Sequence, residues 1–288
     1  MSAAATGPSA EEITRASKSN LALAFVALPP ERRADMSIFY AFCRVIDDIA
    51  DEEGIPPEQR RLGLDTWRRA LAAPQPDDPP LAPTVRALMQ KYRLTPEHFL
   101  EIIAGCEMDL APAHYETWDD LRLYCYRVAS AVGLVSIEIF GYTDAGCREY
   151  AIQLGLALQV TNIIRDVGAD WENGGRIYLP REEMQRFGVS EEDLAAGREN
   201  DAFRALIEFQ AERAESLYVQ AVAALPAVDR RSMVAAEIMR HVYHRLLGKM
   251  RRGGFHVLRQ RYRLSKAAKL ACVAKVLCQR WLWPRAEK

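Results

Sequence analysis

Asp47, Asp48 and Asp51 crowd the stretch YAFCRVIDDIADEE, Tyr40 to Glu53, in an otherwise apolar segment. Residues four apart share one face of a helix, so Asp47 and Asp51 repel unless something offsets them. A second stretch, LGLALQVTNIIRDVGADWENGGRIYLP, Leu154 to Pro180, has matching chemistry. Gln159, Asn162, Asp166 and Asp170 step by three, four and four, which puts four polar side chains along one face and leaves Leu156, Ile163, Ile164 and Val167 elsewhere. Arg44 can pair with Asp48 at i,i+4, and Arg165 is expected to turn aside and pair elsewhere. If the two helices face each other across a cavity, Asp47, Asp51, Asp166 and Asp170 then converge. Carboxylate-lined sites suit hard cations, and Mg2+ takes one or two carboxylates while water and substrate phosphate fill its other positions. The expected ligand is a diphosphate held through metal. The competing reading is two solvated acidic faces with Arg partners.

The elements that position these residues read as helices throughout. Apolar residues recur at spacings of three and four, and no segment shows the sustained alternation of a half-buried strand. Pro29-Pro30 opens the first acidic helix, and Gly54 with Pro56-Pro57 closes it. Further helices are predicted at about 84–92, 96–110, 117–141, 144–170, 200–224 and 227–251, with a last basic helix after Gly253-Gly254. The second acidic helix is expected to stop at Asp170, where WENGGRIYLP begins a loop. The proline-rich segment Ala73 to Pro83 reads as a loop within one all-α domain spanning 13–284, after a tail at 1–12.

Composition narrows the class. The chain has 288 residues and is 49% hydrophobic, enough for a sizeable core. Its start lacks the basic and apolar runs of a secretory signal, and no uncharged apolar run of about 18 residues is evident, so a soluble cytoplasmic protein is expected. Six cysteines, Cys43, Cys106, Cys125, Cys147, Cys272 and Cys278, are spread without a C-x-x-C pair and read as free thiols. His241 and His244 are the only close histidine pair, and they lack partners at zinc-ligand spacing. The formal charge of −1 hides an asymmetry: residues 240–288 carry fourteen Lys/Arg and one acid. That excess suits an anion, whether nucleic acid, membrane surface or phosphorylated substrate; alternatively it packs on the acidic body.

With both acidic stretches and YCYRVASAVGLVSIEIFG, Tyr124 to Gly141, in hand, the sequence resembles the squalene/phytoene synthases, the head-to-head prenyl transferases, from about Ser17 to Leu270. The resemblance implies an all-α helical bundle around a central cavity. Asp47, Asp51, Asp166 and Asp170 match the family's metal-binding pairs, with Asn162 beside them and two or more Mg2+ implied. Gln159, Arg44, Arg176 and Tyr178 match positions near the diphosphates, Arg261 and Lys269 match basic residues that hold them, and Tyr40 and Tyr243 match cavity tyrosines near the reacting carbons. Ser17 and Ser19 belong to a substrate-binding run that reads SKSN here, with Asn20 where many members carry an aromatic.

The implied partners are allylic isoprenoid diphosphates, not nucleic acid. Ala129, Ser130, Ala131, Val132 and Gly133 offer small side chains along which a prenyl tail could lie. The wording of the Tyr124–Gly141 helix and of the C-terminal tail resembles the members that make presqualene diphosphate, with squalene following where NADPH takes part. Phytoene, dehydrosqualene, a single-substrate terpene cyclase and a non-catalytic relative are the alternatives. Trp281 and Trp283 beside cations suggest peripheral membrane contact through the last helix. NADPH use and oligomeric state are left open.

Overall fold

The computed structural model describes residues 24–52, 54–111 and 114–282, with backbone alone at 281 and 282. Ser17, Ser19, Asn20 and Trp283 lie outside the described residues, as do the tail at 1–12 and the Trp281 side chain. In chain order the α-helices are α1 (Pro30–Asp51), α2 (Pro57–Ala72), α3 (Ala82–Tyr92), α4 (Pro96–Met108), α5 (Trp118–Cys125), α6 (Ala131–Phe140), α7 (Gly146–Glu172), α8 (Arg181–Phe187), α9 (Glu191–Ala195), α10 (Asp201–Ala224), α11 (Val234–Arg252) and α12 (Lys266–Leu282). The described residues contain no strand and share one hydrophobic core.

Proline begins α1, α2 and α4 within their first turn, where its missing N–H costs nothing. α5 starts instead with a capping box, in which Thr117 and Asp120 satisfy each other's backbone N–H groups. α7 runs two residues past the predicted stop at Asp170, to Glu172. The helix predicted over 227–251 begins only at Val234, after a single 3-10 turn at Ala227–Asp229. Asp229 accounts for the delay: its buried carboxylate accepts hydrogen bonds from the Thr143 and Asp144 N–H groups, at 2.8 Å each, just before α7. α8 and α9 are too short for periodicity to reveal.

α5 and α6 are joined by a π-helical turn, Tyr126–Ser130, in which the Ala131 N–H bonds back to the Tyr126 carbonyl. α7 packs closely against this turn because residue 155 is glycine: a Cβ there would sit 2.5 Å from Ser130 Cα. Ser130 Oγ in turn donates to the Ile152 carbonyl at 2.8 Å. The combined helix Trp118–Phe140 is the exception to the absence of a membrane-length segment, with a mean hydropathy of 1.4 over its most apolar window. More than half of that window is buried against the rest of the protein, so packing explains its apolar character.

α1, the π-turn with α6, α7 and α11 surround an apolar cavity of about 100 Å3, lined among others by Met36, Val132, Ile137, Phe140, Leu158 and Met239. Ala129 and Gly133 line it as predicted, whereas Ser130 and Ala131 are fully buried in the contact with neighbouring helices. The Arg32 guanidinium bonds the carbonyl of Phe140, one of the lining residues.

Candidate active site

Three of the cavity helices change character along a single face. On α1, Met36 lines the cavity, Tyr40 follows one turn later, and Asp47 and Asp51 end the helix. On α7, Ala151, Gly155 and Leu158 line the cavity, and Asn162, Asp166 and Asp170 continue the same face. On α11, Ala235, Ala236 and Met239 are followed by Tyr243. An apolar chamber thus passes into a carboxylate-rich end without a change of helix.

Arg176 and a fifth carboxylate, Asp109, link the two acidic pairs. Arg176 reaches across from the loop after α7 and donates to Asp51 at 3.3 Å, while its backbone N–H bonds the Asp170 carbonyl at 3.1 Å. Asp109, which directly follows α4, lies within electrostatic reach of Asp47, Asp51, Asp170 and Arg176. Asp109 was missed in the sequence because it stands alone, without a partner at helical spacing. Its oxygens accept hydrogen bonds from Tyr178 at 2.7 Å and Tyr124 at 3.0 Å, and the two rings stack 5.2 Å apart. The Tyr178 hydroxyl is therefore committed to Asp109. Three helix C-termini, those of α1, α4 and α7, bring their negative dipole ends to this cluster.

The electrostatics separate the carboxylates. Burial, then the neighbouring Asp51 charge, pushes Asp47 up to about 6, although Arg44 opposes the shift. Burial and then Asp166 push Asp170 up to about 7. Asp109 is raised by burial, against its two tyrosine donors. Asp166 moves the other way: Arg165 and Arg261 outweigh its burial and hold it below the usual carboxylate range.

The expected Arg44–Asp48 pair forms, and the expectation for Arg165 needs correction. Arg44 bonds both Asp47, at 3.0 Å, and Asp48, at 2.5 Å. Arg165 does not turn aside; it grips Asp166 next door, donating from Nε at 2.9 Å, and lies beside Tyr243. Arg261 completes the clamp with bonds of 2.7 and 3.1 Å to the two Asp166 oxygens.

Arg261 gets there because its loop lies flat on α7. The Gly168 N–H bonds the Val257 carbonyl at 3.3 Å, and a Cβ at 168 would come within 2.7 Å of two carbonyl oxygens of that loop. Buried Glu199 anchors the same loop by accepting from the Leu258 N–H at 3.0 Å and meeting His256 at 2.6 Å. The loop's last anchor is Tyr262, whose hydroxyl donates to the Gly253 carbonyl at 2.9 Å. Lys269, by contrast, sits half-buried on α12 and makes no ion pair or hydrogen bond with the cluster.

The donor set fits a hard cation. Asn162 Nδ2 makes a long contact of 3.4 Å to Gln159, while its Oδ1 is buried with no hydrogen-bond partner, a neutral oxygen left without a proton donor at the edge of the carboxylates. Among the described residues, no three His, Cys, Asp or Glu side chains close on one point. The acids therefore form open pairs rather than an all-protein cage, the arrangement expected where phosphate oxygens complete an ion's coordination.

An apolar chamber that opens into paired carboxylates and arginines, in an all-helical bundle, defines an enzyme that transfers prenyl groups from their diphosphates. The chain belongs to the squalene/phytoene synthase family, whose profile matches residues 14–268. It is 36% identical to the phytoene synthase of Mycobacterium tuberculosis, over 92% of this chain and 88% of that one. It is 37% identical to the presqualene diphosphate synthase of Rhodopseudomonas palustris, over 85% and 88%. Among solved structures, a dehydrosqualene synthase in complex with ligand superposes with a TM-score of 0.81 at 28% identity, covering 95% of this chain and 96% of that one. The squalene synthase of Alicyclobacillus acidocaldarius superposes with a TM-score of 0.75 at 29% identity, over 85% and 93%. The all-α fold and the head-to-head isoprenoid synthase class read from the sequence both stand.

Proposed function

We propose that this enzyme joins two farnesyl diphosphates head to head to give presqualene diphosphate. The reach along α1 from the first acidic pair to the apolar lining supports this reading. From Asp47 back to Met36, which lines the cavity, α1 covers eleven residues, about 16 Å at 1.5 Å per residue. A farnesyl main chain of twelve carbons extends about 15 Å with bonds near 1.5 Å. A geranylgeranyl chain is four carbons longer and would run past the level of Met36 toward Ala151, fifteen residues from Asp166 on α7.

Asp47, Asp51, Asn162, Asp166 and Asp170 would hold Mg2+, which when bound neutralises charge on the departing diphosphate. Arg44, Arg176 and Arg261 supply further positive charge where the allylic C–O bond breaks. The apolar walls keep water from the resulting carbocation. Ring faces of Tyr40, half-buried and edge-on to Phe25, and of Tyr243 stabilise the passing cation. The double bond of the second chain then attacks, a proton leaves, and a cyclopropane closes with the second diphosphate still attached.

The similarity to phytoene synthases favours a second reading, with two geranylgeranyl chains. Purified enzyme incubated with Mg2+ and either substrate, with and without NADPH, decides between them. A C30 cyclopropyl diphosphate formed without NADPH is the expected product, and phytoene formed in preference overturns the proposal.

A further inference from the structure

Of the α7 residues that line the chamber, Tyr150 lies furthest from the carboxylates, sixteen residues before Asp166 and about 24 Å along the helix. It is fully buried, and its hydroxyl donates to Glu237 Oε1 of α11 at 3.0 Å. The ring therefore crosses from one wall helix to another. Beside it the lining is small, Ala151 on α7 with Ala235 and Ala236 on α11, so the bulk between these two helices comes from the tyrosine.

Behind the ring stands a charge network that the chemistry at the other end does not use. Arg240 grips the same carboxylate, with Nε 2.9 Å from Oε1 and Nη2 2.8 Å from Oε2. Glu237 is only 5% exposed, and both its oxygens are occupied. Burial, then the Glu237 charge, hold the Tyr150 phenol well above its ordinary range, so it remains a donor. A buried carboxylate–guanidinium pair seldom adds net stability over apolar packing, and an apolar side chain would wall an apolar chamber equally well. A fully satisfied buried network does give its members one fixed position. The member on the chamber side is Tyr150.

We propose that Tyr150, pinned by Glu237 and Arg240, is the stop that limits the length of prenyl chain the chamber admits. The stop deepens the farnesyl reading and rests on it for the length. A farnesyl main chain of about 15 Å, with the diphosphate between it and the carboxylates, ends short of the Tyr150 level. Four more main-chain carbons add about 5 Å and bring the tail against the ring. Tyr150 is then the specificity-determining side chain, and Glu237 a positioning residue that acts through it.

Titration calorimetry of the full chain with Mg2+ and the unreactive S-thiolo analogues of farnesyl and geranylgeranyl diphosphate reads the stop without turnover. Tyr150→Ala should strengthen geranylgeranyl binding relative to farnesyl binding about tenfold, the discrimination that a few methylenes carry in an apolar pocket. Tyr150→Phe keeps the ring but frees it from Glu237, and should move the ratio the same way by a smaller factor. Met239→Ala widens a side wall without lengthening the chamber, and should leave the ratio unchanged. If Tyr150→Ala melts too low for titration, Tyr150→Leu, which does not reach α11, should shift the ratio in the same direction. An unchanged ratio in the Tyr150 variants, or an equal shift in Met239→Ala, overturns the proposal, and an unmoved Tyr150→Phe alone overturns the role of Glu237. The parent's product is a separate result. Phytoene would overturn the farnesyl reading, and the stop would then be tested by the same ratio taken one isoprene unit longer, with the geranylfarnesyl analogue against the geranylgeranyl one.

Discussion

Asp170 shows most directly how the residues of this site work against the fold that holds them. A carboxylate pushed up to about 7 by burial and by Asp166 is one whose charge the metal-free protein resists. Replacing it with Asn removes the repulsion and keeps the shape. Asp170→Asn should melt at the same temperature as the parent or higher, by differential scanning calorimetry, while product formation falls about a hundredfold or more. A lower melting temperature would mean that the carboxylate holds the fold together. Asp109 carries the same lesson for sequence reading. The regular spacing of Asp47, Asp51, Asp166 and Asp170 announced a shared face, but a single acid behind a helix end has no spacing to show, and only the tertiary fold brings it to the cluster.

At the scale of elements, most of α1 and α7 could be read from the sequence, because their apolar residues recur with the helical period and their acids keep phase with it. The arginines could not be placed that way. Arg165 was expected to pair elsewhere, and the second arginine on Asp166, Arg261, arrives from a loop 95 residues further along. That loop rests on Gly168. Gly168→Ala would drive a methyl into the Val257 and Leu258 carbonyls and lift Arg261 from its carboxylate. Its expected signature in steady-state kinetics is a KM for the diphosphate substrate raised about tenfold, the loss of one charge-assisted contact, with helix content by circular dichroism unchanged. Unaltered KM would show that Arg261 does not depend on this contact. The short helices α8 and α9 span too few residues for a period to show, and the late start of α11 was beyond sequence reading for the reason that hid Asp109: a long-range partner determines it.

For the whole molecule, open carboxylate pairs at the ends of two helices, with Asp109 at the end of a third, tie stability to metal and pH. Asp47 at about 6 and Asp170 at about 7 must shed protons before they can ligate a cation, so Mg2+ affinity should rise with pH through that range. The rise in melting temperature on adding MgCl2 should accordingly be larger at about pH 8 than at about pH 6. His98 and His241, both held below the usual imidazole range by burial and neighbouring arginines, weaken the fold in acid. They do so with or without the ion, and comparing the two melts at each pH removes their contribution. An equal gain at both pH values would place the ion away from these two acids.

The π-helical turn at Tyr126–Ser130 sets the angular phase between the molecule's two ends. Tyr124, just before it, addresses Asp109, and Gly133 and Ile137, just after it, wall the chamber. Deleting one residue from that turn would spin everything downstream by about 100°, so the helix could serve the carboxylates or the prenyl chain but no longer both.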